Sequence, residues 1–523
     1  MLRGRTVVLM LGAVLAGDAA AQLNDVTQTP NLANEGIKKS LVDQVGAGRG
    51  DVLTPGSSLY LIKRDPARSI ARGRQLFQRK FTMAQGFGPR TGDGVGDIMT
   101  DGSLGAGLVD SCAGCHGRPR GSAGAGGNVF TRPDSRDAPH LFGLGLVEML
   151  ADEITADLRA LRDEAVAQAV EDGNPVDVAL ESKGIGYGSL TAFPDGTVDT
   201  AGVEGVDPDL RVKPFFAEGS SFSIREFAVG AFNAEMGLEA PDPDLLAASQ
   251  GADVLTPSGM LLSGSQDALP APPVATPAED SDLDGVVNEI DVALVDHMEF
   301  YLLNYFKPAR GAQTVFTDLG NLFFKLAKCN ACHVQDLVVD VDRRVADVET
   351  GFDPDEGVFN GLFAEAVTML EVVDDGQGEP PLLLPAGEPF VVEDVFTDLK
   401  RHDLGPAFHE RNFDGFVQTQ FMTEPLWGVG STAPYGHDGR SMTLRDVILR
   451  HGGEAETSRE LFEQMTVVQQ FLLLEFLRSL VLFPPPDTAS NLDPGDPDTP
   501  GFPQFGHGSI DLSQLFGDPD DKE

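Results

Sequence analysis

At 523 residues the chain exceeds what one hydrophobic core fills, and at roughly 150 residues per domain two to three domains are expected. Its 81 acidic against 38 basic residues leave a formal net charge of −43, which excludes a nucleic-acid partner and disfavours an anionic membrane surface. A neutral or basic partner fits that sign, and the charge itself describes a solvated surface.

Arg3 and Arg5 precede an apolar run from Val7 to Ala16, and Ala19-Ala20-Ala21 stands ahead of Gln22. This is the pattern of a cleavable secretory signal over 1–21. The run is shorter than the about 20 apolar residues that a membrane span needs, and no later segment is long and apolar enough. A periplasmic or secreted protein without a membrane span is expected. Residues 22–64 are polar and Gly-containing and read as an extended leader.

A first unit over 65–240 opens with a helix-like stretch from Ser69 to Phe81, and a Gly-rich loop from Gly86 to Gly107 interrupts it as an insertion. Further on, Leu144, Val147, Met149, Ile154, Leu158 and Leu161 recur at helical steps within Leu141 to Val170. The stretch 241–279, rich in Pro, Ser, Ala and Asp, reads as a linker. In the second unit, 280–486, an apolar stripe of Val315, Leu319, Leu322, Phe323 and Leu326 runs on a helix into Cys329. A second helix, roughly Ser458 to Leu482, stops at Pro484-Pro485-Pro486. Residues 487–523 read as a flexible acidic tail.

All four cysteines fall in two copies of one pattern, Cys112-Ala-Gly-Cys115-His116 and Cys329-Asn-Ala-Cys332-His333. It is the attachment signature of c-type haem. Two intervening residues let one turn of chain reach both vinyl groups as thioethers, and the adjacent histidine then lies under the iron as its proximal ligand. A four-cysteine zinc ribbon would keep its pairs about 15 to 20 residues apart, whereas these pairs lie in opposite halves of the chain. Two redox-active disulfides would leave His116 and His333 unexplained. Two haem c groups are therefore the expected cofactors.

With both motifs placed, residues 65 to 483 resemble the bacterial di-haem oxidoreductase family, relatives of di-haem cytochrome c peroxidase and of the amine-dehydrogenase maturation enzyme MauG. The most specific segments are Thr423-Glu-Pro-Leu-Trp-Gly-Val429, Ala433-Pro-Tyr-Gly-His-Asp-Gly-Arg440 and Ile448-Leu-Arg-His-Gly-Gly-Glu-Ala455. Weaker echoes are Thr397 to Gly405, Leu144 to Glu148 and Phe232 to Gly237. The resemblance implies a mainly α fold: two cytochrome c-like helical domains, each wrapping one covalent haem, with long loops and extensions. One haem would react with peroxide or another small oxidant while the other relays electrons from a small cytochrome or cupredoxin.

The sequence departs from the peroxidase pattern in two places. The tryptophan-containing distal segment after the first haem is not visible, the only tryptophan being Trp427. The methionine that commonly ligates the relay haem is replaced by His451, with Gly452-Gly453 behind it. Met442 or His402 as that ligand, or His451 as a mere helix cap, are the competing readings. The resemblance makes Glu148 the candidate distal acid, against an exposed helix charge, and puts His402 and His437 in the haem surroundings. Trp427 is either a packing residue or part of an electron path between the haems.

Asp280, Asp282, Asp284, Val286, Asn288 and Asp291, with Gly285 at the sixth position, follow the order of a calcium loop. A solvated acidic loop is the alternative. Three functions remain in view: a peroxidase-type oxidoreductase with one open iron, an electron-transfer cytochrome with both irons closed, and an oxygenase acting on a hydrophobic substrate, as in the rubber oxygenases.

Overall fold

A computed structural model describes residues 41–79, 81–88, 111–112, 116, 138–281, 283–305, 310–346, 370–411 and 416–481. The expected signal, the acidic tail, Cys115, Asp282 and most of the Gly-rich loop lie outside them. No helix among the described residues is long and apolar enough to cross a membrane.

The centre of the molecule is the helix Val292–Leu303, buried on every face from Ala293 to Leu303. Such a helix must be surrounded by others, and its neighbours come from the first half of the chain. Pro66–Gln78, started by Asp65 as N-cap and Pro66 in the first turn, crosses it at Gly73, where a Cβ would lie 2.1 Å from the His297 carbonyl. Leu144–Asp172 approaches its far end at Gly145, where a Cβ would lie 2.0 Å from the Leu303 carbonyl. Leu76, Phe77, Leu146, Leu150, Met298 and Tyr301 fill one core between these helices. Packing without a side chain at the crossing brings the backbones this close.

A lattice of buried charges locks this core. Arg225, from the helix Ile224–Met236, meets Asp242 at 2.6 Å, Glu299 at 2.7 Å and Asp296 at 3.0 Å. Arg49 reaches Asp244 and Asp296, each at 2.7 Å. Thr256 donates to the Glu299 carboxylate at 2.6 Å. Three of these partners, Asp242, Asp244 and Thr256, belong to the stretch 241–279, which carries the helix Pro243–Ser249 and the hairpin Asp253–Leu255 with Leu261–Ser263.

A smaller core joins Phe324, Phe396, Phe462, Leu473 and Phe476. Here Val315–Leu326 crosses Val467–Arg478 at Gly320, where a Cβ would meet the Leu472 carbonyl at 2.2 Å. The helix into Cys329 is present; it buries Thr317, Gly320 and Phe324, Phe323 of the apolar stripe packs against this core, and Val315, Leu319, Leu322 and Leu326 face outward. The single helix expected from Ser458 is two, Glu456–Gln464 and Val467–Arg478. Thr466 and Gln469 form a capping box that restarts the chain.

The mainly α, cytochrome c-like expectation is corrected. The described residues are 38% helical and 15% strand, with the strands spread over several small sheets. The largest is antiparallel, Val176–Ser182, Ile185–Ala192 and Val198–Asp199. The first strand alternates the partly or fully buried Val176, Val178 and Leu180 with the exposed Asp177, Ala179 and Glu181, and Lys183 and Gly184 at the turn have φ of 49° and 77°. Positive φ at both central residues is the type I′ geometry that matches strand twist. Two-stranded ladders such as Leu337–Val339 with Phe390–Val392 fill the intervals between helices.

Removing Arg225 would leave Asp242, Asp296 and Glu299 buried without it. Arg225→Met should therefore cost about 3–5 kcal/mol, read as a lowered urea midpoint; an unchanged midpoint would show that the lattice does not hold the core.

Candidate functional site

The second cysteine motif begins where the helix Val315–Leu326 ends. Lys328, with φ of 60°, turns the chain into Cys329–Ala331, and the His333 N–H bonds back to the Cys329 carbonyl at 3.0 Å. One turn thus carries both sulfurs and the histidine. His333 Nδ1 lies 2.9 Å from the Phe396 carbonyl. A carbonyl only accepts, so Nδ1 carries the proton and Nε2 keeps its lone pair, the tautomer of a metal-ligating histidine. Burial pushes the Cys329 thiol up to about 12 and lowers His333. No disulfide joins Cys329 and Cys332, and a buried thiol of raised pKa is a poor redox-active nucleophile.

His451 follows the helix Leu444–Arg450 directly. Its Nδ1 bonds the Val447 carbonyl at 2.7 Å, which again leaves Nε2 free. Phe408 stands edge-on at 5.3 Å. Burial pushes His451 down to about 4, the bond to the Val447 carbonyl offsetting it only in part. Behind it Gly453, with φ of 52°, lies so near the Asp403 carbonyl that a Cβ would stand 2.1 Å away.

The competing ligands are placed differently. Met442 is exposed. His402 has Nδ1 2.7 Å from Glu454 and Nε2 2.8 Å from Asp398. Burial alone would lower its pKa, but the bonds to Asp398 and Cys332 outweigh that and push it up to about 11. Both nitrogens are engaged, as in an imidazolium. Cys332, Asp398 and His402 do bring ligand atoms within 4.8 Å of one another, a triad that a thioether at Cys332 would dissolve. His437 stacks on Phe421 at 3.9 Å and lies 3.1 Å from Glu410.

At the first motif, His116 Nδ1 lies 2.7 Å from the Pro139 carbonyl, the same arrangement as at His333. Burial lowers its pKa. The helix Ile224–Met236 flanks this site: Phe227 meets the His116 ring at 6.4 Å, and Met236 Sδ lies 4.0 Å from Cys112 Sγ. Glu148 is fully buried rather than an exposed helix charge. One oxygen accepts from the Ile224 N–H at 2.7 Å and the other from Arg343 at 2.8 Å. Burial pushes it up to about 7 against the opposing charge of Arg343.

The segment Thr423–Trp427 lies between the two sites. On one side the Leu426 N–H bonds the Val395 carbonyl at 3.2 Å and Thr397 bonds the Thr423 carbonyl at 2.5 Å, beside the Phe396 carbonyl that holds His333. On the other, the Trp427 carbonyl accepts from His140 Nε2 at 2.7 Å, and the Met422 N–H bonds the Ala217 carbonyl at 2.7 Å. Phe216, next to Ala217, touches Phe227 at 5.4 Å. The Trp427 indole is buried and donates to the Glu393 carbonyl at 3.4 Å.

In the calcium-like loop, Gly285 turns the chain with φ of 91°. Asp284 accepts from the Val286 N–H at 2.6 Å, and Asp291 caps the central helix through the Ala293 N–H at 2.9 Å. Asp280 Oδ1 and Asn288 Oδ1 are buried with no hydrogen-bond partner among the described residues.

Residues 377–480 match the family described as "Di-haem oxidoreductase, putative peroxidase". This di-haem oxidoreductase match includes His402, Trp427, His437 and His451 but neither cysteine motif, so it supports the resemblance independently of the haem signatures. No curated protein matches the chain.

Two residues of the site escaped the sequence reading. His140 carried no signal, because its partner is 287 positions away. Glu424 sits inside the quoted Thr423–Val429 segment but was not singled out. Its side chain reaches solvent, yet desolvation first, and the charge of Glu218 second, push its carboxyl up to about 7. A carboxyl raised in the folded state favours folding below its unfolded pKa, and that advantage is lost as pH rises through about 7. Glu424→Gln should therefore gain stability relative to wild type between pH 5 and pH 8, read as urea midpoints at both; a difference independent of pH would remove Glu424 as a proton-holding group.

Proposed function

We propose that the chain is an exported di-haem c-type oxidoreductase of the peroxidase type, with an open first site and a second site that relays electrons. The observation carrying this reading is the shared geometry of the motif histidines: His116 and His333 each give Nδ1–H to a main-chain carbonyl and keep Nε2 free. The donor set fits the group. Haem bound at these positions supplies an iron that exchanges single electrons. His451, with its own Nδ1 committed to Val447, would be the second protein ligand of the haem held by His333, and Cys112, Cys115, Cys329 and Cys332 would attach the two haems.

Reduction of one peroxide to two waters takes two electrons and two protons. A small cytochrome or cupredoxin supplies the electrons, and the net charge of −43 favours one with a basic face. Trp427 and its segment join the two sites. Glu148 and Glu424, both pushed up to about 7, are two carboxyls able to hold a proton near neutral pH. The buried, unpartnered oxygens of Asp280 and Asn288 suit a calcium ion, which would fix the loop to the first turn of the central helix.

Protein matured in the periplasm should give two haems per chain by pyridine haemochrome, and after full reduction should be reoxidised by half an equivalent of peroxide per electron held. Fewer than two haems, or no reaction with peroxide, contradicts the proposal. His451→Ala should convert a low-spin haem to high-spin, while His451→Met should keep six ligands and raise that potential; a wild-type spectrum in the alanine variant returns the ligand to open choice. If calcium is bound, chelation should lower the thermal midpoint and calcium should restore it. Elemental analysis finding no metal, with no response to chelation, rules the ion out.

A further inference from the structure

Proline lacks an N–H, so the Pro139 residue that holds His116 has no donor of its own with which to fix its orientation. The next residue supplies one. His140 lies one peptide beyond the Pro139 carbonyl, and its Nε2–H is given to the Trp427 carbonyl at 2.7 Å. Its ring stacks on Phe142 at 5.5 Å, and Phe142 packs on Tyr305 at 4.5 Å. Gly143 fits beneath the Trp427 ring so closely that a Cβ would lie 2.3 Å from Cζ3. Residues 139–143 therefore grip Trp427 at both its carbonyl and its ring while presenting a carbonyl to His116.

Resting on the di-haem reading above, we infer that His140 is a positioning residue for the first site: its bond to the Trp427 carbonyl holds the Pro139 carbonyl against His116 Nδ1–H. The hold extends further. Leu426 bonds the Val395 carbonyl at 3.2 Å, and Phe396, next in sequence, holds His333 at 2.9 Å. The two motif imidazoles are thus joined by one run of peptides and hydrogen bonds that passes through His140. A firm bond from Nδ1–H to a carbonyl makes an imidazole a stronger electron donor to its metal, which favours the oxidised iron. Loosening that carbonyl should weaken the donation and raise the potential of the first site alone.

The test uses full-length protein with both haems counted in every variant. His140→Leu keeps the bulk and removes the donor; His140→Gln restores an amide N–H at similar reach. Midpoint potentials come from spectroelectrochemistry, and the iron–histidine stretch of the reduced first site from resonance Raman. His140→Leu should raise the first-site potential and lower the stretch, with the second site unmoved. His140→Gln should return both toward wild type. If the leucine variant does not fold, His140→Asn, one methylene too short to reach, should give the same shift. Wild-type potential and stretch in whichever of these two variants folds overturns the inference. Wild-type protein with fewer than two haems fails the underlying reading instead, and is recognised by the haem count alone.

Discussion

A carbonyl oxygen accepts and never donates, and that restriction fixes the tautomers of His116, His333 and His451. Each faces a main-chain carbonyl through Nδ1, at 2.7 Å, 2.9 Å and 2.7 Å respectively, so each keeps an unprotonated Nε2 for a metal. Burial acts in the same direction, since all three are pushed below the usual histidine range and stay neutral. His402 is the contrast. Two carboxylates engage both of its nitrogens, which makes it a charged partner of its surroundings rather than a ligand.

The carbonyls must themselves stay in place, and that ties local chemistry to the fold. Phe396 belongs to the smaller core, where it meets Phe324 at 5.7 Å and Phe476 at 5.6 Å. Pro139 leads into Leu144–Asp172, which packs on the central helix. Between them runs Thr423–Trp427. The charge lattice around Arg225 holds the central helix to the segments bearing Asp242 and Asp244, so the geometry at the first site depends on buried ion pairs far from it in sequence.

Signals that are local in the chain were legible. The spacing of each cysteine motif, the periodicity of Leu144–Asp172 and the helix into Cys329 each depend on neighbours within a few turns. The hairpin around Lys183-Gly184 is just as local, since Val176, Val178 and Leu180 alternate, although the resemblance implies helical domains and no strand there. The stripe on Val315–Leu326 marks the helix into Cys329 but not its packing face. Periodicity identifies a face, not its neighbour, and here the contact is made by Gly320, which contributes no hydrophobicity at all. Glu148, paired with Arg343, and His140, paired with the Trp427 carbonyl, take their roles from partners that only tertiary structure brings near.

On the proposed reading the two sites differ in coordination: His333 and His451 would both hold one iron, while His116 would be the one protein ligand of the other. Electron paramagnetic resonance of the resting, fully oxidised protein measures this without any substrate. One high-spin and one low-spin ferric signal of equal weight is the predicted spectrum. Two low-spin signals would contradict the account and make the chain an electron carrier with both irons closed.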